Sequence, residues 1–203
     1  MKLTCIKPQI YYLLFDNQYA VTSTMMRLEE FYESPYKNIK NKFFTLEQFM
    51  DTYAKHMGNF TYTSDWTGFN VQSEVIKKFI YYFKDDLLEK EKPLINLLQT
   101  IKDEKYYLIA TYKGCQDNVL DHELAHAYYC LDLDYKHSMC QLINKFKHKL
   151  QMQNSLLKMG YCRAVLNDEI QAYLATIKKH EIVKKHYDTK EFKKVFKDKN
   201  AHS

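Results

Sequence analysis

The hydrophobic positions of this chain fall into two periods. Ile10–Phe15 is a compact apolar run of strand length. Lys105–Lys113, KYYLIATYK, is rich in aromatic and β-branched residues and closes at Gly114, which marks a second strand. Elsewhere the spacing is helical. Residues 21–33 form a helix that stops before Pro35. Thr45 ahead of Leu46 and Glu47 is an N-cap for a helix reaching about His56. Residues 58–71 are a polar, aromatic-rich loop or short hairpin holding Trp66 and Gly68. Residues 73–90 are helical, and Pro93 starts another helix toward Lys102. After Gly114 the pattern is almost wholly helical, over about 118–131, 136–158 and 162–187. The lysine-rich end, 184–203, is expected to fray.

The expected class is therefore α+β, mainly helical, with a small β-sheet packed on the helix over about 118–131. No repeat at solenoid period and no linker is present, so one domain in two lobes is expected. The first is a mixed α/β lobe over about 1–131, the second a helical lobe over about 132–190, and 191–203 is a flexible tail.

Composition narrows the function classes. Among 203 residues there are only 4 Gly and 3 Pro, which excludes collagen-like, linker-rich and Pro-rich disordered chains. Neither GxGxxG nor GxxxxGK[ST] occurs, so phosphate-loop chemistry recedes. The net charge of +5 is spread through interspersed Lys, Arg, Asp and Glu, a solvated surface and not a nucleic-acid footprint. No apolar run is long enough for a transmembrane helix, so no membrane partner is expected. The first 15 residues are interrupted by Pro8 and followed by Asp16 with no small-residue cleavage site, and read as a strand, not a signal peptide. The five cysteines are odd in number and form no CxxC, which points to a reducing compartment. The expected location is cytoplasmic, or a host cell reached without a cleaved signal.

The chemistry concentrates in VLDHELAHAY, residues 119–128, which contains His122-Glu123-Leu124-Ala125-His126. On a helix, positions i and i+4 lie one turn apart on one face, so both imidazoles can grip one metal ion with Glu123 beside them. With 8 His and 12 Glu in the chain, roughly 0.02 such motifs would arise by chance. Asn118 is placed to cap this helix, with Asp121 at the third helical position. Leu120, Leu124 and Leu131 form one apolar stripe, and Val119, His122, His126 and Cys130 form another. A helix apolar on two sides is buried, so its histidines face the interior and need partners there.

A third ligand is needed for a catalytic zinc. The helical stripe 162, 165, 166, 169, 172, 173, 176 reads Cys, Val, Leu, Glu, Ala, Tyr, Thr, and Glu169 interrupts its apolar face. Burying a lone carboxylate is expensive, and a metal ion is one partner that would offset the cost. His137 is the rival third ligand, with His148 and Asp134 behind it.

The segment from His122 to His126 resembles the zincin metallopeptidase signature, including uncharged residues at 119, 120, 124, 125 and 127 and a hydrophobic one at 128. Glu169 with Ala172 resembles the ExxA of gluzincins, whose glutamate is the third metal ligand on a later helix. The metzincin extension is absent, because Tyr129 and Asp132 stand at its Gly and His positions. Tyr173 stands where some gluzincins carry an acidic residue. The resemblance implies a Zn2+ cofactor on His122, His126 and Glu169, and Glu123 as general base to a zinc-activated water. It implies a protein or peptide substrate, a Tyr or His donor to the oxyanion, and a strand, here 105–113, that lines the cleft and pairs with the substrate along its edge. Cys115, seven residues before His122, would be placed to cap the metal in a latent form. The competing reading is a non-catalytic helical binding or regulatory protein with a structural or degenerate metal site. Its basic tail, Lys184, Lys185, Lys193, Lys194 and Lys197, would then meet an acidic partner.

Overall fold

The computed structural model of the chain describes residues 1–115, 117–159, 161, 163–176 and 182–202, apart from the side chains of 117, 118 and 202. The class is α+β, helices with one four-stranded sheet. The chain divides into two compact units, Met1–Cys115 and Gln116–Ser203. The lobe boundary expected near residue 131 therefore falls at 115/116, and the HExxH helix opens the second unit.

The first unit holds the sheet. Strands β1 (Lys2–Lys7) and β2 (Ile10–Phe15) form an antiparallel hairpin in place of one N-terminal strand. Pro8 and Gln9 make its turn, and Gln9 has φ +62°, the sign pattern of a type II turn with proline first. Helices α1 (Gln18–Glu33), α2 (Leu46–Met57) and α3 (Tyr62–Asp65) follow, then β3 (Phe69–Gln72), α4 (Ser73–Phe83), α5 (Glu91–Leu98) and β4 (Tyr107–Tyr112). Thr45 caps α2 in a reciprocal box with Gln48. The Gly58–Val71 stretch contains α3 and most of β3.

The order is β1-β2-β4-β3, with β4 parallel to β2 and antiparallel to β3. This corrects the edge-strand expectation for 105–113. Five of the six β4 residues are buried, and both flanks are already hydrogen-bonded, so the strand has no free edge for a peptide. Beneath the sheet, Phe31, Phe44, Phe49, Phe79 and Phe83 build an aromatic core. Helix α4 ends at Phe83 and not near Lys90 because the chain turns there to bring Asp86 and Glu91 onto Arg27. The fully buried Arg27 guanidinium donates to both Glu91 oxygens at 2.9 and 2.6 Å and to Asp86 at 2.8 Å. That fork satisfies a charge that would otherwise be prohibitive inside a core.

The second unit is helical: α6 (Asp117–Leu131), α7 (Leu133–Lys145), α8 (Lys149–Lys158), a single 3₁₀ turn (Arg163–Val165), α9 (Leu166–Thr176) and α10 (Lys190–His202). Helix α9 is buried from Glu169 through Thr176 and packs on the other four. Ala125 and Ala172, both fully buried, lie on the packed helices α6 and α9, and the Gln171 amide reaches Ala125 O at 3.2 Å. The expected 136–158 helix is split. Asp132 caps α7, and Phe146 leaves the helix to place its ring against Tyr187 and Phe192, at 5.3 and 6.0 Å between centroids. Helix α9 is shorter than the 162–187 expected, since residues 182–189 are not helical; Cys162 and residues 177–181 lie outside the described residues. The Asn118 cap likewise falls on a side chain outside them.

The tail does not fray. Phe192 and Phe196, one turn apart, are buried and dock α10 onto α7 and α9. Tyr128 Oη donates to Asn200 at 2.9 Å, and Lys199 pairs with Asp132 at 2.5 Å. Among the described residues no helix is long and apolar enough to cross a membrane.

Candidate metal centre

His122 and His126 project from the same face of α6, and Glu169 meets them from α9. The two Nε2 atoms lie 3.3 Å apart. One Glu169 oxygen lies 3.8 Å from His122 Nε2 and the other 3.7 Å from His126 Nε2. These donor atoms all fall within 4.8 Å of one another, and among the described residues this is the cluster that could hold a metal ion.

The outer ring nitrogens have partners of their own. His126 Nδ1 is 2.8 Å from Asp168 Oδ1, a carboxylate oxygen that can only accept, so Nδ1 carries the proton. Asp168 is itself held by Gln171 Nε2 at 3.0 Å. Gln171 also donates to Ala125 O and accepts from Tyr135 Oη at 2.9 Å. On the other ring, Thr176 Oγ1 gives its proton to Ala172 O at 2.7 Å and offers a lone pair to His122 Nδ1 at 3.5 Å. Both acceptors favour Nδ1–H, which turns two Nε2 lone pairs toward one point.

Two lone pairs at 3.3 Å repel unless a proton or a cation lies between them. A tetrahedral ion about 2.0–2.1 Å from each donor needs donor separations of about 3.3–3.4 Å. The His–His spacing matches this, and each Glu169 oxygen lies 3.7–3.8 Å from one of the two nitrogens, with one ligand atom from each residue all within 4.8 Å. The residues present therefore fit a metal ion. Without one, a proton takes its place. Burial opposes charge on His126, but Asp168, then Glu169 and Glu123, outweigh it and hold the ring well above the ordinary histidine value.

Glu123 is buried, and its charge reaches His126, Tyr161 and Tyr173. Tyr173 meets the His122 ring edge-on, with centroids 4.9 Å apart, and its hydroxyl is 3.3 Å from that of Tyr161. Burial first, then the charge of Glu169, pushes the Tyr161 hydroxyl far up. Burial raises Tyr173 as well, against its hydrogen bond with Tyr161, in which either hydroxyl can donate. Both phenols stay protonated.

Of the four candidates for third ligand, Glu169 is the one brought to both histidines. His137 is exposed on α7 and bonds to Gln141 at 2.8 Å, and Asp134 is exposed on the same helix. His148 lies among the rings of Phe146, His186 and Tyr187. Cys115 belongs to the first unit, where its thiol reaches Thr67 O at 3.5 Å. Asp168, Gln171, Thr176 and Tyr161 are not legible as site residues in the sequence. The signal for Asp168 is a second carboxylate next to Glu169, but its partner is 42 residues away. Comparison of the chain with protein-family models, with curated proteins and with solved structures finds no match.

Proposed function

We propose that this chain is a zinc-dependent metallopeptidase of the gluzincin type, hydrolysing peptide bonds in a protein or peptide substrate. The observation that carries the reading is the convergence of two histidine Nε2 atoms and both Glu169 oxygens on one point, with Glu123 buried beside them. Two imidazoles and a carboxylate are a donor set suited to zinc that leaves a position for water.

His122 and His126 would hold the ion through Nε2 and Glu169 through a carboxylate oxygen. Asp168 fixes the His126 ring from behind and makes its nitrogen a better donor. Zinc, when bound, supplies the positive charge that acidifies a water molecule and polarises a carbonyl. Glu123 takes a proton from the attacking water onto its carboxylate and delivers it to the leaving amine nitrogen. Among the described residues Cys5, Cys115, Cys130 and Cys140 are in the thiol form, which suits a reducing setting.

Purified full-length protein is expected to carry about one zinc and to cleave casein or a peptide library in a chelator-sensitive way. Glu123→Gln should keep the zinc and lose about 10²–10⁴-fold in turnover. His122→Ala should lose the zinc. A protein with no affinity for zinc would overturn the reading.

A further inference from the structure

Asp168 holds the outer nitrogen of His126, yet its own side chain is 27% exposed. A carboxylate that reaches water can turn away from the ring unless something keeps it facing inward. Gln171, three positions later on α9, is fully buried, and its Nε2 donates at 3.0 Å to Asp168 Oδ1, the oxygen that faces His126 Nδ1 at 2.8 Å. The surroundings determine which way this amide points. Asp168 Oδ1 and Ala125 O, the latter at 3.2 Å, can only accept, so both N–H bonds of Nε2 are directed at them. The amide oxygen must then face the Tyr135 hydroxyl at 2.9 Å, which donates to it. Tyr135 is buried on α7, and its backbone N–H donates to Asp132 Oδ1 at 2.9 Å. Turning the amide over would set its oxygen against a carboxylate and a carbonyl. One side chain therefore joins α9, which carries Glu169, to α6, which carries both histidines, and to α7. Burying an amide is costly unless its bonds are made, and here three are made.

We propose that Gln171 and Tyr135 are positioning residues of the metal centre: Tyr135 fixes the Gln171 amide, Gln171 fixes the Asp168 carboxylate, and Asp168 fixes the His126 ring with Nε2 turned toward the ion. This rests on the metal ligands of the metallopeptidase reading and not on its substrate. Neither residue touches the ion. Each acts by holding the imidazole in its ligating orientation before a metal arrives, which removes that ordering cost from binding. Because Gln171 acts through Asp168, its loss weakens metal binding by no more than loss of Asp168 does, about 10–100-fold. Tyr135 stands one bond further out, and its effect is smaller again.

The test titrates zinc into full-length metal-free protein against a chromophoric chelator. Gln171→Met keeps the length of the side chain and removes its donors, and is expected to bind zinc about tenfold more weakly. Tyr135→Phe should bind it about threefold more weakly. Both substitutions are repeated in an Asp168→Ala background, where neither should weaken zinc further, as for groups acting in series. A role in packing alone would carry into that background undiminished. The second readout is the Nδ1 proton of His126 in zinc-saturated protein, which its hydrogen bond to a carboxylate shifts downfield in the NMR spectrum. That resonance should move upfield in Gln171→Met. If Gln171→Met fails to fold, Tyr135→Phe decides: a loss confined to the background that keeps Asp168 supports the relay, and unchanged affinity overturns it. Wild-type zinc affinity in Gln171→Met, equal losses with and without the Asp168 carboxylate, or a His126 proton that does not move overturns the proposal while leaving the zinc site and the peptidase reading intact. A wild type with no affinity for zinc overturns both.

Discussion

Asp168 offers the sharpest quantitative test of the metal centre, because it touches the site only through His126. Its Oδ1 lies 2.8 Å from Nδ1 of a ring that is 4% exposed, and the same oxygen accepts from Gln171 at 3.0 Å. Asp168→Asn keeps an amide oxygen able to accept both bonds but removes the negative charge. Asp168→Ala removes the acceptor as well, leaving the imidazole free to turn. Carboxylates behind ligating histidines contribute about 10–100-fold to metal affinity, or about 1.4–2.7 kcal/mol. The asparagine variant should therefore sit near the tenfold end and the alanine variant near the hundredfold end. Competition for zinc against a chromophoric chelator, from metal-free protein at one pH, measures both. The reasoning fails if both variants bind zinc as tightly as the wild type, or if asparagine costs more than alanine.

Two predictions concern stability. Burial pushes the Glu30 carboxyl on α1 up to about 7, against hydrogen bonds from Ser34 and Tyr62. An acid raised on folding costs nothing below its ordinary value of 4.5 and costs more as pH rises through about 7, where the loss levels off near 3 kcal/mol. Urea unfolding of Glu30→Gln should lack that loss between pH 5 and pH 8, and an unchanged pH dependence would refute the assignment. In the second unit, Phe196→Ala should cost about 3–5 kcal/mol of unfolding free energy. A loss within about 0.5 kcal/mol, the range of surface changes, would mean that α10 is not part of the packed unit.

What the sequence alone determined is local. The spacing of His122 and His126 obeys helix geometry, so any helix over that stretch brings the two imidazoles to one face. Glu169 was legible because a carboxylate on an apolar stripe demands an explanation. The strands 10–15 and 105–113 and the Thr45 cap follow from residue type over a few positions. Whatever depends on partners across elements only the tertiary structure decided. The interior place of β4 depends on which strands reach its two flanks, and period-two patterning does not say which strands those are. The lysine count of α10 hid Phe192 and Phe196, whose burial depends on a surface supplied by α7 and α9. The bonds from Asp168 to His126 and from Thr176 to His122 cross from α9 to α6, and Tyr161 reaches Tyr173 from beyond the end of α8. Such contacts are set by how closely helices pack, and packing is a property of facing surfaces that no single segment contains.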